Sequence, residues 1–134
     1  MKYATYLVTP DMGHFDVGEK ILREAGATLE AIHNYDLLND GTVILLYEMR
    51  GSREDIESVL NPGDGKTIDY QVSENNGSLM IQLHYHPSDM VADLFELTRR
   101  HAALFDYPME YIDRGSSGVS LRISMVGKEQ NLKE

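Results

Sequence analysis

The chain has no cysteine and no tryptophan in its 134 residues. Without thiols there is no disulfide framework, no thiolate zinc site and no cysteine nucleophile. No apolar run approaches the roughly 18 residues of a membrane span. The opening Met1-Lys2-Tyr3-Ala4-Thr5-Tyr6 lacks the apolar centre of a signal peptide. A cytoplasmic chain without a membrane partner is therefore expected. Positive charge is scarce too: 12 Lys and Arg stand against 22 Asp and Glu, for a net charge of −10. A field of that sign repels phosphate backbones, so the surface as a whole is not that of a nucleic-acid binder. The acidic surplus serves solubility, and it also suits work at high salt, where self-repulsion is screened over short distances.

The sequence motifs of the common catalytic sites are missing as well. There is no G-x-S-x-G, no Walker A, no H-E-x-x-H, no G-x-G-x-x-G and no EF-hand loop. Asn61-Pro62-Gly63-Asp64-Gly65-Lys66 has the composition of a phosphate loop, but it leads into a strand and lacks the helix N-terminus that binds anions. It reads as a turn. No catalytic residue and no cofactor is expected.

What is present is a regular alternation of strands and short helices. Residues 3–9 read as a strand stopped by Pro10-Asp11-Met12-Gly13, and 16–25 as a helix with Asp16 and Glu19 at capping-box spacing and Gly26 as its stop. Residues 29–38 and 42–50 form a hairpin about Asn39-Asp40-Gly41. A second helix starts at Ser52, and a strand follows from 66 to 73, closed by Glu74-Asn75-Asn76-Gly77. This is β-α-β-β-α-β, the ferredoxin-like order. The order then restarts: a strand from 79 to 86, a helix from Asp89 to about His101 capped by Ser88, and strands at 109–113 and 119–126, with a further helix opening at Gly127.

Pro10 and Pro87 each end a first strand, and Gly41 and Gly118 each sit in a hairpin turn; both offsets are 77 residues. The reading is an α+β fold of two ferredoxin-like repeats with antiparallel sheets, residues 1–76 and 77–134. The second is cut before its last strand, whose counterpart would fall beyond Glu134. That leaves a sheet edge for more chain or a partner to close.

Five residues are candidate ligand or metal contacts. His84 and His86 share the outward face of their strand, about 6–7 Å apart, a distance that zinc can bridge; the plainer alternative is two exposed or interface histidines. His33 shares a face with Leu29, Ala31, Tyr35 and Leu37 and reads as a satisfied, partly buried histidine or a ligand contact. Arg99 and Arg100, beside His101, form the one local basic cluster. They either offset the dipole of the helix end or hold an anion. Thr42-Val43-Ile44-Leu45-Leu46-Tyr47 is apolar on both faces, which implies cover on both, from the second repeat, a second copy or another domain.

Three segments carry a family likeness: A-I-H-N-Y-D-L-L-N-D-G-T-V-I-L-L-Y-E-M-R-G (31–51), D-M-V-A-D-L-F-E-L-T-R-R-H (89–101) and P-M-E-Y-I-D-R-G-S-S-G-V-S-L-R-I-S-M-V-G (108–127). From about residue 3 to residue 129, the chain resembles the N-terminal region of archaeal helix-turn-helix transcription regulators of the bacterio-opsin activator type. The resemblance implies a halophilic setting, a regulatory or assembly role, and DNA contact only through a C-terminal helix-turn-helix that this chain lacks. The expected function is a self-associating sensor or dimerisation domain that is neither an enzyme nor itself DNA-binding. Alternatives are a module that binds a small-molecule effector at a repeat or subunit interface, in the manner of ACT domains, and a small metal-binding α+β enzyme using His84 and His86.

Overall fold

A computed structural model describes residues 2–15, 17–60, 67–100 and 104–127. Seven strands and three helices follow in the order β1 (Lys2–Val8), α1 (Val17–Glu24), β2 (Thr28–Leu37), β3 (Val43–Arg50), α2 (Arg53–Leu60), β4 (Thr67–Asn75), β5 (Ser78–Tyr85), α3 (Asp89–Arg100), β6 (Leu104–Asp113) and β7 (Val119–Gly127). The fold is α+β, with every neighbouring strand pair antiparallel.

Local chemistry sets the ends of these elements. Ser52 Oγ accepts the Asp55 amide at 3.3 Å, and Ser88 Oγ accepts the Val91 amide at 3.3 Å; each satisfies one of the unpaired donors of a first helical turn. Gly26, at φ 92°, stops α1, and the Ala27 amide folds back to the Leu22 carbonyl. Asn76 and Gly77 both take positive φ in the two-residue turn between β4 and β5, the backbone that such hairpins require.

The sheet is single and continuous, in the order β1-β7-β6-β2-β3-β5-β4. The strands of residues 1–76 and 77–134 are thus interleaved. A ferredoxin-like unit closed within residues 1–76 would hold β1 beside β3, yet β5 occupies that place and β1 lies against β7. The two halves meet where β2 pairs with β6, through Ala31↔Glu110 and Ile32↔Met109. Ile32 and Met109 are 77 residues apart (109 − 32), the offset of the proline and glycine landmarks.

Helices cover one face of the sheet. Leu22 of α1, Ile56 and Leu60 of α2 and Val91 of α3 share one core with Val43, Leu45, Tyr47 and Met49 of β3. Ile44, Leu46 and Glu48, on the other face of β3, remain partly exposed. The expected cover on both faces is therefore not supplied by the second half, whose strands widen the same sheet instead of stacking on it.

Two β-bulges in β2, between Leu29 and Ala31 and between Ile32 and Asn34, break its alternation. They turn His33 away from the core face that holds Tyr35 and Leu37, contrary to its expected grouping. β6 is longer than the expected 109–113: a register break between Asp106 and Glu110 absorbs Pro108 and lets Leu104–Asp106 pair with β7. The 61–66 turn, Asp16 at the start of α1, His101 and the helix expected after Gly127 lie outside the described residues.

Candidate functional site

Under α1 and α3, against the centre of the sheet, lies a cavity of about 20 Å³. Four strands each send one tyrosine to its wall: Tyr35 from β2, Tyr47 from β3, Tyr85 from β5 and Tyr111 from β6. Ile32 and Met109 form its floor, where the two halves of the chain join.

Glu19, in the first turn of α1, turns its carboxylate inward to this wall and is only 2% exposed. Burying a carboxylate is costly unless donors replace its water. Here Oε1 accepts the Phe15 amide at 2.5 Å and Oε2 accepts the Tyr111 hydroxyl at 2.5 Å. Tyr111 as a residue is half-buried, but its hydroxyl is enclosed. Desolvation, with the neighbouring Glu19 charge second, holds that hydroxyl well above the usual tyrosine range. Tyr35 and Tyr85 join hydroxyls at 3.2 Å, and the Tyr47 and Tyr111 rings lie 6.3 Å apart between centroids. The arrangement offers aromatic faces, hydroxyls and one carboxylate to a small guest. Spacing had suggested Glu19 as the capping-box partner of Asp16; its inward turn has no local signature. The four tyrosines meet only because four strands are neighbours.

The open face of the sheet carries two polar clusters. His33 Nε2 lies 2.7 Å from Glu48 Oε1. Beside the β2–β3 turn, Thr42 donates its hydroxyl to Asp40 Oδ1 at 2.5 Å and contacts His84 Nε2 at 2.8 Å. With the Thr42 hydroxyl committed to Asp40, its oxygen accepts from His84, which fixes Nε2 as the protonated nitrogen. The Thr42 side-chain hydrogen bond, followed by its backbone amide, holds the Asp40 carboxyl below the usual aspartate range. β5 ends at Tyr85, so exposed His86 lies one residue beyond the strand that carries His84. Among the described residues no group of three or more His, Asp or Glu side chains could hold a metal ion. Arg99 and Arg100 are the last two residues of α3.

A larger groove, about 440 Å³, runs between the β1–α1 loop and the Arg114–Gly118 turn, and is lined by His14, Lys20, Arg23 and Ser116 among others. Its lysine and arginine suggest an anion site, but each already meets a carboxylate: Lys20 meets Glu24 at 3.9 Å and Arg23 meets Asp113 at 3.0 Å. The charges cancel, and an anion would have to displace those partners. The groove is kept narrow at its base by two glycines. A Cβ on Gly118 would stand 2.0 Å from the Gly13 carbonyl oxygen.

A family model described as HVO_0513_N, N-terminal, matches residues 15–134. Neither a curated protein nor a solved structure matches the chain. No described helix is long and apolar enough to cross a membrane.

Proposed function

This chain belongs to the HVO_0513_N family of N-terminal domains, and from that premise we propose that it is a cytoplasmic, non-catalytic sensor and assembly module of an archaeal transcription regulator. The family name comes from haloarchaeal proteins, which suits an acidic surface. DNA contact, in this reading, falls to a helix-turn-helix of the parent regulator, of the bacterio-opsin activator type. The module is built from two βαββ halves, β1–α1–β2–β3 and β5–α3–β6–β7, which exchange first strands across the Ile32–Met109 pair.

One observation carries the sensing role: the buried Glu19 carboxylate, held by Phe15 and Tyr111 in a ring of tyrosines at the joint between the halves. A carboxylate among aromatic faces favours a cation or amine, through charge and cation–π attraction. The signal is a small amine or organic cation. Its entry parts α3 from the sheet at Val91 and Leu94, because the present space admits one water-sized molecule. A guest at the joint between halves is placed to bias how they sit together.

The test is thermal unfolding of the chain against a panel of small amines and organic cations, with Glu19→Gln as control. A true effector at about 100 times its Kd adds roughly 2.7 kcal/mol of stability, and Glu19→Gln abolishes the shift. If no member raises the Tm, or if the variant responds equally, the sensing role fails. Tight, salt-resistant DNA binding by this chain alone would remove the regulatory reading altogether.

A further inference from the structure

The two edges of the sheet are built differently. β4, at one edge, has a register break between Thr67 and Asp69 and carries the acidic Asp69 and Glu74. Breaks and charges are the devices by which sheet edges avoid pairing with other chains. β1, at the other edge, has no such break, and its one charge is Lys2 at its very start. Its seven residues, K-Y-A-T-Y-L-V, hold no acidic side chain and no proline, and their register with β7 runs unbroken from Lys2 to Val8. In a chain of net charge −10 this strip is free of acid. Reading outward from the β2–β6 joint, β4 stands beyond β5, while no described strand stands beyond β1.

The apolar surface of β1 points the same way. Ala4, Tyr6 and Val8 pair with Met125, Ile123 and Leu121 on the core side, so Tyr3, Thr5 and Leu7 lie on the open face. There Tyr3 is 58% exposed and Leu7 55% exposed. The Tyr3 hydroxyl donates to Asp106 Oδ2 at 2.9 Å, which holds the ring over the sheet before any partner arrives.

We propose that β1 is the dimerisation edge: two copies pair β1 with β1, antiparallel about Thr5, into one continuous sheet of fourteen strands, seven from each copy. Thr5 is the middle of the strand, so this register uses its whole length. It sets Tyr3 opposite Leu7 of the second copy twice over, covering the two most exposed large hydrophobic side chains of the strand. Ala4 then faces Tyr6, and Lys2 faces Val8, with no like charges opposed. A two-fold axis perpendicular to the sheet keeps the helices of both copies on one side. The second copy is favoured over another chain because the strand is complementary to itself.

This inference rests on the assembly part of the proposed function, and its experiment separates the two. Because the chain has no cysteine, Thr5→Cys supplies a single thiol at the predicted axis. Oxidised at molar salt, Thr5→Cys gives a covalent dimer, whereas Gln71→Cys on β4 stays monomeric. By sedimentation equilibrium the wild-type chain dimerises and Leu7→Lys weakens the dimer about tenfold or more, with an unchanged circular dichroism spectrum. Tyr3→Glu combined with Leu7→Lys restores it, since each new lysine faces a new glutamate. A wild-type chain that stays monomeric at every concentration overturns the proposal. So does a dimer that ignores Leu7→Lys and leaves Thr5→Cys unlinked, though that result would leave the sensing role standing with a different interface.

Discussion

Tyr111 and Glu19 meet at 2.5 Å, hydroxyl to carboxylate, and so tie β6 to the first turn of α1. Tyr111→Phe removes a donor from a carboxylate that has almost no access to water. Urea unfolding of this variant is expected to show a loss of about 1.5–3 kcal/mol.

The same pair predicts alkaline behaviour. Burial and the Glu19 charge raise the folded-state pKa of Tyr111 above its unfolded value of 10.0. Its contribution is therefore complete below that value and is lost as pH rises through the folded one. Wild-type stability, followed by urea midpoint, falls more steeply above about pH 10 than that of Tyr111→Phe.

At the other turn, Thr42 is 5% exposed and its hydroxyl joins Asp40 to His84. Thr42→Val keeps the shape, removes this partner from His84 and leaves Asp40 only the backbone amide of residue 42. Because those partners reach water, the expected loss is at the low end for a hydrogen bond, about 1 kcal/mol. Asp40 has a folded pKa below its ordinary 3.8, so its contribution is present above that value and disappears as pH falls through the folded one. Asp40→Asn flattens that part of the acid limb in a pH series of unfolding midpoints.

The approach of Gly118 to Gly13 allows a paired test. Gly118 has φ 105° and no room for a Cβ, because backbone stands in the way. Gly77 has φ 83° and open space around it. Gly118→Ala is expected to cost roughly 3 kcal/mol or more, from overlap plus backbone strain. Gly77→Ala costs about 1 kcal/mol, from conformation alone. Equal effects in chemical denaturation would show that the two loops do not pack as described.

Salt supplies the last test. With a net charge of −10, each copy repels itself and would repel a second copy. Screening shortens that repulsion from about 10 Å at 0.1 M to about 3 Å at 1 M. The melting temperature and the dimer fraction are both expected to rise across this range. The two are followed by calorimetry and sedimentation.

Several elements were legible from local chemistry alone. The turns at Asp40-Gly41 and Asn76-Gly77, the serine caps at 52 and 88, and the glycine stop after α1 all stand where their residue types put them. Each depends on hydrogen bonds and φ preferences that reach only a few residues. The first half of β6 was missed because Pro108 argues against a strand, and the register break that accommodates it has no local mark. His33 was placed on the wrong face for a similar reason: strand alternation is a counting rule, and two unannounced bulges reset the count. Glu19 had a spacing that fitted a capping box with Asp16, and nothing nearby disclosed the tyrosine waiting on β6.

By itself, then, the sequence determined where elements begin and end, the acidic surface, and the 77-residue offset that recurs in the Ile32–Met109 pair. Tertiary structure alone decided that strands from the two halves of the chain interleave, that one sheet forms where two were expected, and that a carboxylate becomes an interior group. The division is physical. Turns and caps are settled by neighbours along the chain, whereas the choice of strand partners and the desolvation of Glu19 are settled only once distant segments compete for the same buried space.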